Sequence, residues 1–405
     1  STLWRNDNLE DKVKSRIRDI KQDVVPEGYK KTKLGMIPLE WSATKAKELF
    51  VNYSNKDHDG TYEVLSATQD RGVIPRSALD IEIKYDRSGL KNYKKVDAGD
   101  FIISLRSFQG GIEYSKYEGL VSPAYTVLKE KKNIDKGFFR YLFKSDRFIS
   151  TLNSIIYGIR DGKQIGYNDF SQLYLYEPPY GEQVKIGKIL ATWDQAIERK
   201  GRFIAEKRKQ KKGIMQKLLS GEVRLPEFHG EWKEEKLGDI CKITTGKLDA
   251  NAMVEDGKYR FYTCARQFYQ IDEYGFDTEA LLISGNGANV GYIHYYKGKF
   301  NAYQRTYVLD QFQHNIKYIK FLLEQNLSTR IEKEKNAGNT PYIVLGTLQN
   351  MKLSLPSERE QKFIADILET SEKEIDLLEQ ELEAFKLQKK GLIQLLLTGI
   401  IRVHP

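Results

Sequence analysis

The chain has 405 residues, 65 basic and 56 acidic side chains, a net charge of +9, and is 40% hydrophobic and 12% aromatic. That length predicts two or three domains with real cores, and the composition excludes disorder as the dominant state. A mean hydropathy of −0.56 without any long apolar run excludes a membrane span. Two cysteines, Cys241 and Cys264, exclude a disulfide framework or a four-ligand zinc site, and no secretory pattern opens the chain, so a cytoplasmic protein is expected.

In chain order, Val13, Ile17, Ile20 and Val24 fall at helical spacing and predict a leading helix over 9–24, within an N-terminal segment 1–33. YEVLSAT, GDFIISL and GLVSPAYTVL are short runs, β-branched and aromatic, bounded by Gly and Asp, and predict strands. Residues 133–156 follow a helical period. A long helix is expected over 182–224, closing a first globule of 34–181. EALLISG, GYIHYY and TYVLDQF predict strands of a second globule, 225–356, with a helix over 315–335 and a second long helix over 357–405.

The two halves repeat one another. KGIMQKLLSGEVRL at 212–225 aligns without gaps on KGLIQLLLTGIIRV at 390–403, and Pro178 with Glu182-Gln183 aligns on Pro356 with Glu360-Gln361 at the same offset of 178 residues. IPLEW, ending at Trp41, and HGEWKEEKLGDI, containing Trp232, open the two halves. Ile364, Leu368, Ser371, Ile375, Leu378, Leu382, Phe385, Lys389, Leu392 and Leu396 alternate by four and three, the spacing of a coiled-coil seam. The first half matches it with Ile186, Leu190, Trp193, Ile197, Lys200, Ile204, Lys207, Lys211, Ile214 and Leu218. Gly221 and Gly399 stand where helix C-caps belong. Two equal seams favour mutual pairing over separate packing of each helix on its own globule. Charge gives the direction: Arg199–Lys212 is basic late in the first helix and Asp366–Glu383 acidic early in the second, so the pair is expected to be antiparallel. At 1.5 Å per residue such a rod is about 55 Å long. The expected fold class is mixed α/β (α+β): two duplicated globules separated by two long helices forming an antiparallel coiled coil.

Catalytic motifs are weak. EPPY at 177–180 resembles an amino-methyltransferase loop, but its counterpart reads Leu355-Pro356-Ser357-Glu358, so a proline stop between strand and helix is the better reading. GNGANVG at 285–291 precedes a strand pattern, whereas a phosphate-binding glycine loop opens a helix. Asp80 with Glu82-Ile83-Lys84 has the spacing of a nuclease fragment that arises by chance, the five histidines do not cluster, and no G-x-x-x-x-G-K-[ST] loop exists. A non-catalytic chain that binds no metal or cofactor is expected.

Two globules on a rod suggest a reader of two separated sites, and duplex half-sites one turn apart lie about 34–36 Å from each other. Base reading needs amide, hydroxyl and guanidinium side chains on loops. The first half offers Ser66, Thr68, Gln69, Arg71, Arg76, Arg106, Ser107, Gln109, Arg160, Lys163 and Gln164. The second offers Thr263, Arg266, Gln267, Asn286, Asn289, Asn301, Tyr303, Gln304, Arg305, Thr306 and Asn339.

The IPLEW opening, the helix entries PPYGEQVKIGKIL and LPSEREQKFIADIL, and the two repeated tails resemble the specificity subunit of type I restriction-modification enzymes. That resemblance implies two target-recognition domains reading a bipartite double-stranded DNA sequence, with an antiparallel coiled coil that sets the gap. It also implies docking of two adenine methyltransferase (modification) subunits and of ATP-dependent restriction/translocase subunits, with S-adenosylmethionine, ATP and Mg²⁺ on those partners. Outside the two long helices the net charge is only +5, which predicts weak DNA binding by the isolated chain. The rival readings are a coiled-coil protein-interaction scaffold without DNA specificity and a self-sufficient DNA methyltransferase or nuclease.

Overall fold

The computed structural model describes residues 7–79, 87–156, 165–334 and 342–403. Its longer helices are α1 (Asp7–Lys21), α2 (Lys136–Leu142), α3 (Asp146–Ile156), α4 (Tyr180–Leu219), α5 (Ile316–Glu334) and α6 (Glu358–Leu397). The leading helix stops short of its expected end: Asp23 turns the backbone to φ +56°, and Val24 lies beyond the helix, exposed. The stretch 133–156 is two helices, because Ser145 ends one and caps the next. Its Oγ donates to the Leu142 carbonyl at 2.7 Å and accepts the Phe148 N–H at 3.3 Å.

The two repeated tails are 40-residue helices, each about 60 Å long at 1.5 Å per residue. They stop in the same way. Gly221 and Gly399 hold φ +73° and +75°, where a side chain would be strained. The N–H groups two residues later, of Val223 and Ile401, turn back to the Lys217 and Leu395 carbonyls.

The chain forms two compact units, Ser1–Arg199 with Leu382–Pro405, and Lys200–Glu381. The divisions fall inside α4 and α6, so each unit takes one half of each long helix, paired antiparallel. None of the twenty seam positions is exposed. In the first unit Trp193 packs edge-on to Phe385 with ring centroids 5.7 Å apart. In the second, Lys207, Arg208 and Lys211 pair with Glu374, Glu379 and Glu372 at 2.6–2.8 Å, and Lys200 pairs with Glu381.

Toward the ends of the helices the seam becomes globule core. In the first unit Ile186, Leu190, Leu392 and Leu396 join Phe50, Phe101, Phe138, Phe139, Phe143 and Phe170, aromatic rings that meet mostly edge to face, where their quadrupoles attract. In the second, Leu218, Leu219, Ile364 and Leu368 join Leu281, Ile283, Leu309, Tyr318 and Leu322.

The β-structure of the units differs. The first carries a four-stranded antiparallel sheet in the order Phe50–Tyr53, Thr126–Glu130, Phe101–Ile103, Glu113–Tyr114, beside small pairs that include the hairpin Leu65–Thr68 with Gly72–Pro75. The second has one six-stranded sheet in the order Lys242–Thr245, Thr306–Asp310, Phe276–Ser284, Ile293–Ala302, Tyr259–Tyr262, Tyr269–Ile271. Only the pairing of Tyr259–Tyr262 with Ile293–Ala302 in it is parallel.

The attachment of helix to globule is the same in both. Glu182, at the start of α4, is buried and takes both Arg402 Nε (2.8 Å) and Nη2 (2.9 Å). Glu360, at the start of α6, takes Arg224 Nε (2.9 Å) and Nη2 (2.6 Å). The neighbouring Gln183 and Gln361 accept the N–H of Asp135 and Asn315, which in turn cap α2 and α5. Each arginine comes from the repeat other than its glutamate's, so each unit is assembled from both repeats.

Candidate nucleic-acid interface

In the first unit, two loops bring candidate residues together. The hairpin turn after Thr68 is built by its hydroxyl, which donates to the Gly72 carbonyl at 2.8 Å and accepts the Arg71 N–H at 3.1 Å. The turn leaves Gln69, Asp70 and Arg71 exposed. The second loop runs from Ser104 to Gly111. Ser107 Oγ accepts the Ser104 N–H at 2.8 Å, which turns Arg106 and Gln109 outward. Gln69 Nε2 donates to Gln109 Oε1 at 3.1 Å and joins the loops. The approach needs glycine at 110, where a Cβ would lie 2.9 Å from Gln69 Cγ, and the second loop passes the end of α2 through Gly111, where a Cβ would lie 2.1 Å from the Phe143 carbonyl oxygen.

Lys144 supports both loops. Its ammonium donates to the carbonyls of Gln69 (3.3 Å) and Gly110 (2.7 Å) and to Glu113 Oε1 (2.5 Å). Glu113 is 2% exposed, and its Oε2 has no hydrogen-bond partner. Burial pushes its carboxyl up to about 7, against the pull of Lys144. Arg76 Nε donates to Ser66 Oγ at 3.1 Å along the same hairpin.

In the second unit the exposed candidates are Arg266, Gln267, Gln304 and Arg305. Arg266 Nε donates to Asn289 Oδ1 at 3.3 Å and stands over the Tyr292 ring at 5.5 Å; Asn289 Nδ2 in turn donates to the Cys264 carbonyl. His294 Nε2 lies 2.9 Å from the Ala265 carbonyl, and burial lowers its pKa. Arg260 lies between the Phe268 and Tyr296 rings, 4.2 and 4.6 Å from their centroids. Gln304 Nε2 donates to Asp249 Oδ1, Asn286 bridges to Tyr342, and Tyr303 is half-buried.

Four candidates do not face solvent as expected. Ser107, Thr263, Asn301 and Thr306 are buried, because they sit at strand ends or inside a turn. Asn301 bonds the Glu273 carbonyl and the Ala302 N–H, and Ser107 closes its own loop. Arg160, Lys163, Gln164 and Asn339, with Asp80 and Glu82-Ile83-Lys84, lie outside the described residues. Lys144, Glu113 and Arg260 gave no signal in the sequence: charges scattered along a basic chain look solvated until the fold gives them partners.

The discounted motifs have structural duties. Glu177 of EPPY accepts the Thr44 hydroxyl at 2.5 Å and pairs with Lys132 at 2.6 Å, on a strand bonded to Ser42–Lys45. Residues 285–291 turn between two strands. Among the described residues no three His, Cys, Asp or Glu side chains are grouped to hold a metal, and no helix is long and apolar enough to cross a membrane.

A family model described as the type I restriction modification DNA specificity domain matches residues 38–205 and again 229–387. The EcoDI type I restriction enzyme specificity subunit of Escherichia coli is 39% identical over 168 residues, a match spanning 42% of this chain and 37% of that subunit. The MjaVIII specificity subunit of Methanocaldococcus jannaschii is 25% identical over 349 residues, 76% of this chain and 80% of the relative. Among solved structures, the S subunit of a type I restriction-modification system from M. genitalium has the same fold, with a TM-score of 0.58 at 17% identity, covering 88% of this chain and 96% of that one.

Proposed function

Because the chain belongs to the type I restriction-modification DNA specificity family, we propose that it reads a bipartite duplex sequence for such a complex, one half-site with each unit. The observation that carries this is the double match, 38–205 and 229–387, together with a separate exposed cluster in each unit: Gln69, Arg71, Arg106 and Gln109 in one, Arg266, Gln267, Gln304 and Arg305 in the other. The clusters match in residue type but stand on different loops over different sheets, so the half-sites differ.

The long helices each contribute to both units, and their pairing sets the gap between half-sites. Two methyltransferase subunits dock on the helix pair, and restriction/translocase subunits join that core. The chain supplies recognition and no chemistry; S-adenosylmethionine, ATP and Mg²⁺ belong to the partners, and the complex works in the cytoplasm. With +5 of net charge outside residues 182–224 and 357–405, the isolated chain neutralises few phosphates and binds DNA weakly. Nanomolar affinity of the isolated chain at physiological salt would overturn that last point.

The test is selection from randomised duplexes by the chain co-purified with its methyltransferase partner. A split motif with a constant gap is expected. Removing seven residues from both long helices, which keeps the seam in phase, changes the gap and leaves both half-motifs intact. A contiguous motif overturns the two-reader arrangement, and no enrichment overturns DNA reading.

A further inference from the structure

We infer that Gln109 reads an adenine in the major groove of the first half-site, with Gln69 and the Lys144–Glu113 pair as the positioning residues that orient it. The inference rests on the DNA-reading function proposed above.

An exposed glutamine alone does not hold its amide plane, and so does not hold its donor and acceptor in fixed places. Gln109 is different. Gln69 Nε2 donates to its Oε1 at 3.1 Å, which ties down one end of the amide and so orients its plane. One lone pair of Oε1 and both Nε2 hydrogens remain for a ligand. A donor and an acceptor on one planar amide match N7 and N6–H of adenine, whereas guanine offers two acceptors in their place. Beside it Arg106 is exposed, and its guanidinium has no partner among the described residues. It is placed to contact a phosphate.

The support is more than a turn. One ammonium, that of Lys144, holds the backbone of both loops at Gln69 and Gly110. It is itself held by Glu113, 98% buried beneath them. Gly110 gives the room in which the two glutamine side chains meet. A surface loop with no role in orientation needs none of these.

Selection from randomised duplexes, with the methyltransferase-bound complex, compares the wild type with Gln109→Ala, Gln69→Ala and Lys144→Arg. A fourth variant combines Lys144→Met with Glu113→Gln, so that no buried carboxyl is left without its lysine. The wild type is expected to enrich A·T at one position of the first half-motif. Gln109→Ala lowers that preference about ten- to a hundredfold. Gln69→Ala and the paired variant lower it by less, at the same base pair, while Lys144→Arg retains it. The second half-motif stays unchanged throughout, and it reports that the complex is intact. Unaltered preference in Gln109→Ala, or a lost preference at a base other than adenine, overturns the inference and leaves the proposed function standing. A wild type that enriches no split motif removes both.

Discussion

In the first unit Glu182 receives Arg402, the indole N–H of Trp41 at 2.8 Å and the N–H of Val403 at 3.2 Å. In the second, Glu360 receives Arg224 alone through its carboxylate, while the indole N–H of Trp232 is buried without a partner. The same repeated residues thus make a node with donors to spare in one unit and a node with one donor group in the other. A second node shows the same drift. Asp194 holds Lys389, Tyr141 Oη and Arg140, and its counterpart Glu372 holds Lys211 and Lys320 beside Phe321. Both lysines occupy seam positions, where a polar residue fixes the register of a helix pair. The attachment points of the scaffold keep their places and let their chemistry vary. The sheets they carry differ in strand number and order.

The largest effect follows from the first node. Arg224→Ala leaves the buried Glu360 carboxylate uncompensated, and the melting temperature of the second unit is expected to fall by about 10 °C. Arg402→Ala leaves Glu182 two donors, and the fall is about half as large. Calorimetry on the two variants orders them, and an equal fall would mean that the Trp41 and Val403 contacts contribute nothing.

Glu113 gives a pH dependence. Burial raises its carboxyl from 4.5 to about 7, with Lys144 opposing and Asp70 adding to the rise. A raised folded-state value means stability present below about 4.5 is lost as pH climbs through 7. Melting curves from pH 4 to 8 are expected to show this slope in the wild type and to show it flattened in Glu113→Gln. A parallel slope in the variant would place the titration elsewhere.

Lys211→Met is expected to change the melting temperature by no more than about 2 °C, since methionine extends the apolar seam. It broadens spin-label distances between α4 and α6 measured within the second unit. The smallest effect is that of Arg208→Ala, whose ion pair with Glu379 is exposed: about 1 °C or less.

What the sequence revealed followed from periodicity. The seam and the matching glycine stops were legible because a helix repeats its face, and the antiparallel sense because charge runs oppositely along the two tails. The unit boundaries were not, because Ile186, Leu190, Leu392 and Leu396 serve both seam and globule core, and an apolar period does not say which partner it faces. The support under the first loop pair was hidden for another reason. Lys144 and Glu113 are 31 residues apart, and only the fold sets a buried carboxyl against a half-buried ammonium. Thr306 and Asn301 misled in the opposite direction, since polar side chains closing a strand look like loop residues in one dimension.

The way the first unit is closed has a consequence for how the chain comes into being. Its core includes Leu392, Leu396, Leu397 and Ile401, and the hydroxyl of Tyr29 reaches the Gly399 carbonyl at 2.6 Å across 370 positions. The second unit, 200–381, is continuous in the chain. During synthesis, the part made first therefore waits with its aromatic core open while the part made later has all the residues it needs. The order of completion is the reverse of the order of translation. The nascent protein is most vulnerable to aggregation through Phe50, Phe101, Phe138 and their neighbours until the last turns of α6 emerge.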